Sequence, residues 1–143
     1  MLRRVLFLSV RPKYAERIMQ GTKTVELRRA CPDVSEGDKV VLYISSPTKA
    51  VMAISVVDNI CCAEPNKLWR KIKDRVGVTR PEFEDYFNGA KVGVAIQIRD
   101  VQELPRPITL STLRNLWPDF SPPQSYRYFS AKEFSQLLRI ARF

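Results

Sequence analysis

Histidine is absent from the 143 residues of this chain, and cysteine is scarce. Without an imidazole, the chain excludes a Ser-His-Asp or Cys-His arrangement, a histidine general base and a two-histidine metal site. The three cysteines, Cys31, Cys61 and Cys62, are odd in number and lack the spacing of a zinc site. We therefore expect neither a metal nor a cofactor. Reduced thiols are the simpler interpretation, and a disulfide between Cys31 and one of the other two stays open.

Long apolar runs are also missing. Residues 2–10 are too few for a membrane span, which needs roughly 20 apolar residues, and no small-residue cleavage site follows them as in a signal peptide. This segment is typical of a buried first strand. We predict a cytoplasmic protein without a membrane partner. The length predicts one domain over residues 1–143, and the sequence leaves the oligomeric state open.

Acidic residues are outnumbered by basic ones, 15 against 24, which gives a formal net charge of +9. Residues 1–30 hold eight basic side chains against two acidic ones, and residues 67–80 hold six against one. This distribution favours a polyanionic partner such as RNA or a nucleotide, although many small proteins are basic for solubility alone. We assign contacts with a nucleic-acid backbone to four side chains of the second cluster: Lys67, Arg70, Lys71 and Lys73.

The apolar pattern changes between strand and helix periods along the chain. A helix is predicted after the first strand, over residues 12–20, because Pro12 suits a first helical turn and Gly21 suits a helix end. Strand 50–59 is expected to be buried on both sides. The other strands are predicted up to about residue 29 and at residues 39–45, 91–101 and 124–128.

The second half of the chain adds helices to these strands. Two of them, at residues 64–75 and 81–87, form a helical insertion over about residues 64–88. A C-terminal extension over about residues 104–143 holds a short helix near residues 110–116 and a closing helix at 131–140, capped by Ser130 with Glu133. Pro105 and Pro107 are expected to break the structure before it. The elements predict an α+β fold built on a small, mostly antiparallel β-barrel.

The strand after the first helix alternates between two kinds of side chain. Val25 and Leu27 share one face, whereas Thr24, Glu26 and Arg28 place a hydroxyl, a carboxylate and a guanidinium on the other. A surface strand needs only polarity on its outer face. The pattern therefore favours a strand that lines a binding cleft.

Three segments together resemble the ASCH family within the PUA-like superfamily. They read Leu-Ser-Val-Arg-Pro-Lys-Tyr-Ala-Glu-Arg-Ile at residues 8–18, Gly-Thr-Lys-Thr-Val-Glu-Leu-Arg-Arg at residues 21–29 and Gly-Asp-Lys-Val at residues 37–40. The core pattern G-x-K-x-x-E-x-R is fairly specific when it follows a strand and a short helix. The segment Pro-Pro-Gln-Ser-Tyr-Arg-Tyr at residues 122–128 is similar to a feature of short, stand-alone ASCH proteins. The resemblance covers residues 4 to about 129.

This resemblance implies a PUA-like β-barrel with a cleft beside the first helix, and a role in binding RNA or modified nucleotides that is sometimes regulatory. Some ASCH members similar in this motif are amidohydrolases of N4-acetylcytidine nucleosides that use a lysine, a threonine and a glutamate. Lys23 matches the lysine, but Glu26 occupies the position of the threonine, and no glutamate stands near residues 74–76, where the third residue would fall. These departures count against that activity.

We assign a candidate ligand site to side chains of the first strand, the motif and the Pro-Pro segment: Ser9, Arg11, Lys23, Glu26, Arg28, Gln124 and Arg127. The candidate catalytic residues are Lys23, Glu26 and Ser125. Lys23 is nominated as the base for the serine because the chain has no histidine.

Each assignment has a structural alternative. Lys23 is either a phosphate contact or base in the cleft, or a solvated lysine at a strand start. Glu26 either accepts hydrogen bonds from a base edge or pairs internally with Arg28 or Lys23. Ser9 either helps to bind an anion at the helix N-terminus or simply caps the helix.

Two functions follow from these residues. The first is a binding module whose charged cleft holds RNA or a modified nucleotide in a salt-sensitive manner. The alternative is a metal-independent hydrolase, which acts on an acylated nucleoside or on RNA phosphodiesters with a 2′-hydroxyl as the nucleophile.

Overall fold

A computed structural model of the chain describes residues 4–143. Residues 1–3, which include Arg3 of the N-terminal basic cluster and the start of the predicted first strand, lie outside the described residues. In chain order the elements are β1 Val5–Val10, α1 Pro12–Met19, β2 Val25–Arg28, β3 Lys39–Ile44, β4 Ala50–Ala63, α2 Pro65–Ile72, α3 Arg80–Tyr86, β5 Gly93–Thr109, α4 Leu110–Leu116, β6 Tyr126–Phe129 and α5 Ala131–Ala141.

The strands form one six-stranded sheet in the order β2-β5-β4-β3-β1-β6. β1 pairs with β3 in parallel, and the other four neighbouring pairs are antiparallel. The sheet curls into a half-barrel, so that Arg28 of the edge strand β2 reaches the carbonyl oxygen of Ser125, just before the opposite edge strand β6, at 3.2 Å. The predicted α+β, mostly antiparallel architecture is confirmed.

Strand alternation divides the apolar side chains between the two faces of the sheet. Leu6 and Leu8 of β1 pack inside the curl with α1, whereas Phe7 packs on the outer face with α4 and α5. A third cluster joins Val25 and Leu27 of β2 to the α2–α3 insertion. Both faces of β2 are therefore covered, and all four of its residues are buried.

The prediction that Pro105 and Pro107 break the structure is wrong, because β5 continues through both to Thr109. In the pairing with β4, Ala53 faces Glu103 but Val51 faces Ile108. Four residues of β5 thus bulge out opposite a single residue of β4. A proline is tolerated in such a bulge because no ladder partner needs its missing N–H group.

The remaining helix and strand predictions agree with the structure within a few residues. The predicted caps of α5 form a capping box, in which the Ser130 hydroxyl accepts from the Glu133 N–H and the Glu133 carboxylate accepts from the Ser130 N–H. The prediction that strand 50–59 is buried on both sides is correct for one side only, because Val51 and Ala53 are buried whereas Met52 and Ile54 retain some exposure. Within residues 4–143, no helix has the length and apolar character needed to cross a membrane.

Candidate functional site

Three charged side chains of the motif form a continuous buried row. Lys23, Glu26 and Arg28 are only 3%, 6% and 6% exposed. Arg28 Nη2 donates to Glu26 Oε2 at 2.7 Å, and Lys23 Nζ lies 3.7 Å from Glu26 Oε1. One carboxylate thus lies between two cations. Glu26 therefore pairs internally with Arg28 and Lys23, which is the structural alternative given above for this residue.

The α2–α3 insertion buries Lys23. Lys23 Nζ donates to the carbonyl oxygen of Val76 at 2.8 Å. The next residue, Gly77, has a φ of +64°, and a Cβ atom there would lie 2.5 Å from Lys23 Cβ. Desolvation lowers the pKa of Lys23 most, and Arg28 and Arg17 lower it further, while Glu26 opposes the shift.

Arg28 carries the buried row across the gap between the edges of the sheet. Its Nη2 also donates to the carbonyl oxygen of Ser9 at 2.9 Å, and its Nη1 contacts the carbonyl oxygen and the hydroxyl of Ser125 at 3.2 and 3.3 Å. Its Nε has no hydrogen-bond partner among the described residues. The Ser125 hydroxyl is exposed and is bonded by Arg28 rather than by Lys23.

Ser9 does not cap α1. Its hydroxyl donates to the carbonyl oxygen of Pro123 at 2.6 Å, and its backbone N–H donates to that of Ser125 at 3.0 Å. The helix instead begins after Arg11, which makes no side-chain cap, with Pro12 in its first turn. Ser9 therefore fixes the Pro-Pro segment against β1.

An open cleft of about 330 Å³ lies at the start of α1. None of its ten lining residues is acidic, and the polar ones include Ser9, Arg11, Tyr43, Ser45, Lys49 and Gln124. Arg11, Lys49 and Gln124 are exposed, so that two cations and an amide face solvent there. The structure brings together the predicted residues Ser9, Arg11 and Gln124 in this cleft.

Tyr43 and Lys49 are among the lining residues of the cleft that were not predicted from the sequence. Lys49 ends the connection between β3 and β4 with a φ of +49°, and its carbonyl oxygen accepts from the Leu110 N–H at 2.9 Å. Tyr43 is 2% exposed, and burial raises the pKa of its hydroxyl while Arg114 lowers it. Tyr43 lies in the apolar strand β3, and the connection that holds Lys49 has turn residues but no motif, so the sequence carried no signal for either residue.

Other predicted residues lie away from the cleft. Arg127 does not line the cleft, and its guanidinium pairs with Glu133 at 3.1 Å and stacks over Phe120 and Phe129. The four basic residues of the second cluster are exposed on or just after α2. Because α2 follows the end of β4 and Lys49 precedes its start, this surface and the cleft lie at opposite ends of β4.

A second cavity, of about 370 Å³, lies beside the end of α1. Its lining includes Gly21, Lys23 and Thr24, but also Asp100 and Glu103. Two carboxylates make this cavity less suited to a polyanion than the first cleft. Among residues 4–143, no group of three or more Cys, Asp or Glu side chains is arranged to hold a metal ion.

Comparisons with known proteins give a family and a fold. Residues 5–115 match the model of a family described as "Domain of unknown function (DUF365)". The chain is 30% identical over 138 residues to an ASCH domain-containing ribonuclease of Zymomonas mobilis. The aligned residues cover 96% of this chain and 93% of that relative. The crystal structure of ASCH from Zymomonas mobilis matches with a TM-score of 0.91 at 29% identity, over 97% of this chain and 96% of that one.

A more distant structural match extends the fold comparison. Human THYN1, solved in complex with DNA containing 5-methylcytosine, matches with a TM-score of 0.63 at 12% identity over 98% of both chains. This likeness concerns the fold alone. Together, the structural matches confirm the predicted PUA-like architecture.

Proposed function

Because the chain belongs to the ASCH domain family and to the family described as DUF365, we propose that it is a metal-independent ribonuclease that binds RNA across the open cleft. The relative from Zymomonas mobilis, which aligns with nearly the whole chain, is named a ribonuclease. The observation that carries the proposal is the lining of the cleft. It combines two exposed cations, Arg11 and Lys49, with hydroxyl groups and contains no carboxylate.

Such a lining suits a phosphodiester. Arg11 offers a planar fork of donors for two phosphate oxygens, and Lys49 offers a compact positive charge. A carboxylate in the same place would repel the phosphate. The two cations therefore bind the scissile phosphate and stabilise the extra negative charge that develops as it is attacked.

The reaction uses the 2′-hydroxyl of the RNA as the nucleophile. Its oxygen bonds to the adjacent phosphorus, the bond from phosphorus to the 5′-oxygen breaks, and the products are a 2′,3′-cyclic phosphate and a 5′-hydroxyl. Since the lining offers neither imidazole nor carboxylate, the 2′-hydroxyl proton passes to solvent. Tyr43, which lines the cleft, donates its hydroxyl proton to the departing 5′-oxygen and regains a proton from solvent.

The buried row of charged side chains supports this site without contacting the RNA. Arg28 holds the Ser125 hydroxyl at the surface, beside Gln124, where it donates a hydrogen bond to the RNA. Lys23 and Glu26 position Arg28 and do not touch the substrate, since neither side chain lines the cleft. The contacts therefore do not favour the N4-acetylcytidine amidohydrolase alternative, which needs Lys23 to reach the reacting group.

The test uses a short RNA and a matched RNA with one 2′-deoxy position, both in EDTA. We expect cleavage of the first with a 2′,3′-cyclic phosphate end, and none at the deoxy position. Lys49→Ala is expected to lower the rate by about 10²-fold, the usual cost of one donor to a developing charge. The control is Lys91→Ala, which replaces an exposed lysine two residues before β5, beside the end of β4 that is far from the cleft, and it is expected to cleave like wild type.

A binding module without catalysis is the second candidate, favoured by the exposed cations of α2. Salt-sensitive RNA binding without any cleavage would support it and refute the ribonuclease. Replacing Lys67 and Lys71 together by alanine is expected to reduce the salt slope of binding by up to about two. RNA binding that does not weaken as salt rises would contradict both candidates.

A further inference from the structure

Two exposed thiols from distant parts of the chain meet beside the sheet. Cys31 lies in the loop after β2 and Cys62 lies near the end of β4, and their sulfur atoms are 3.2 Å apart. A disulfide bond is about 2.05 Å long, so the two atoms need to approach by only about 1.2 Å. We propose that Cys31 and Cys62 form a site of reversible oxidation, where a hydroperoxide produces one intramolecular disulfide.

The third cysteine is placed differently. Cys61 faces Ala95 of β5 in the ladder and packs with the cluster under α2, whereas Cys62 faces Val94. Successive side chains of a strand point to opposite faces. Cys61 therefore does not share the face on which Cys31 and Cys62 meet, and it serves as an internal control.

The hydrogen bond between the thiols assigns their roles. The Cys62 S–H donates to the Cys31 sulfur. The pKa of Cys62 is raised to about 11, first by the loss of solvation and then by its hydrogen bond with Cys31. Cys31 is accordingly the attacking sulfur and Cys62 the resolving one.

The step balances with one hydroperoxide. The Cys31 thiolate attacks the outer oxygen of the O–O bond, which breaks and releases an alcohol, or water when the oxidant is hydrogen peroxide, leaving Cys31 as a sulfenic acid. The Cys62 sulfur then attacks the Cys31 sulfur, the S–O bond breaks, and water leaves. Two thiols are oxidised by two electrons in total, and the peroxide is reduced.

The disulfide would tie a loop to the sheet. Cys31 and Cys62 are 31 positions apart, and the loop that follows Cys31 already contacts the far edge of the sheet, where the Asp33 N–H donates to the Tyr128 hydroxyl at 2.7 Å. Cross-linking would restrict the unfolded chain and raise the thermal midpoint. Neither cysteine lines the cleft, so oxidation of the pair does not depend on the proposed ribonuclease activity.

The experiment exposes folded wild type and the variants Cys31→Ser, Cys62→Ser and Cys61→Ser to hydrogen peroxide, then counts free thiols and measures intact mass. Wild type and Cys61→Ser are expected to lose two thiols and two hydrogen masses, to melt several degrees higher and to recover with dithiothreitol. Cys31→Ser and Cys62→Ser are expected to form no internal cross-link. The proposal would be overturned by a cross-link through Cys61 or by disulfide-linked dimers as the main product. It would also be overturned if the folded wild type lost its thiols no faster than the urea-unfolded protein.

Discussion

Replacing Glu26 by glutamine removes the carboxylate that compensates two buried cations. Arg28 Nη2 loses a charged partner at 2.7 Å, and Lys23 Nζ loses one at 3.7 Å. Both cations stay buried, because the Val76 carbonyl and the contacts of Arg28 still hold them. Removing one partner of a buried ion pair costs about 3–5 kcal/mol. We therefore expect Glu26→Gln to lose a large part of the free energy of unfolding, which is typically about 5–15 kcal/mol.

The loss should also depend on pH, because Lys23 can escape its unpaired state by releasing a proton. Its folded pKa is already lowered from 10.5, and Glu26 is the group that holds it up. In the variant the folded pKa falls further. Between that lowered pKa and 10.5 the unfolded chain binds more protons than the folded one, so stability rises with pH in this window. The difference in unfolding free energy between wild type and Glu26→Gln should therefore become smaller as pH rises.

Urea unfolding followed by tryptophan fluorescence measures both effects, at neutral and at alkaline pH. Glu84→Gln is the matched control, since Glu84 pairs with Arg80 at 2.8 Å in an exposed i,i+4 contact worth only about 0.3–0.5 kcal/mol. If Glu26→Gln lost no more stability than Glu84→Gln, the row would not be a compensated buried network. A gap that stays constant with pH would refute the role of Lys23.

Two further predictions concern the surroundings of the row. Gly77→Ala is expected to destabilise by about 1–2 kcal/mol for its left-handed backbone and by about 1–3 kcal/mol more for the clash with Lys23. Gly21 also has a left-handed backbone, but a Cβ atom there would meet no neighbour, so Gly21→Ala should show only the backbone cost. Equal urea midpoints for the two variants would contradict the clash with Lys23. The pKa of Glu82 is lowered to about 2, chiefly by its contact with Lys13, so its contribution to stability is present above pH 4.5 and lost as pH falls through about 2. Glu82→Gln should reduce the loss of unfolding free energy that wild type shows as pH falls through this range. An unchanged loss at acid pH would count against the pairing of Glu82 with Lys13.

Local patterns predicted most of the fold because they depend on near neighbours in the chain. Alternation located the strands, and Ser130 with Glu133 located the start of α5, since a capping box spans three residues. Pro105 and Pro107 misled the prediction for a physical reason. A proline breaks a regular ladder, but whether a bulge accommodates it depends on the register with β4, which is a long-range property.

The site was harder to predict because its contacts join distant residues. Alternation correctly placed Glu26 and Arg28 on one side of β2, but it gave no sign that Val76, 53 positions after Lys23, would cover the lysine. The partner of Arg28 is similarly remote, since Ser125 lies 97 positions away. Whether a charged face is open or covered is decided by such contacts, and a strand pattern does not encode them.

The motif that marks the family is better understood as a packing and ion-pair device than as a list of ligand contacts. Gly21 ends α1 with a φ of +83°, Lys23 anchors the insertion, and Glu26 and Arg28 bridge the row to the opposite edge of the sheet. Each task fixes a residue type and a spacing, which makes the segment recognisable in a sequence. The open cleft requires only exposed positive charge at the start of α1 and in the β3–β4 connection, and this requirement has no fixed spacing. Lys49 is therefore visible in the structure but not in the motif.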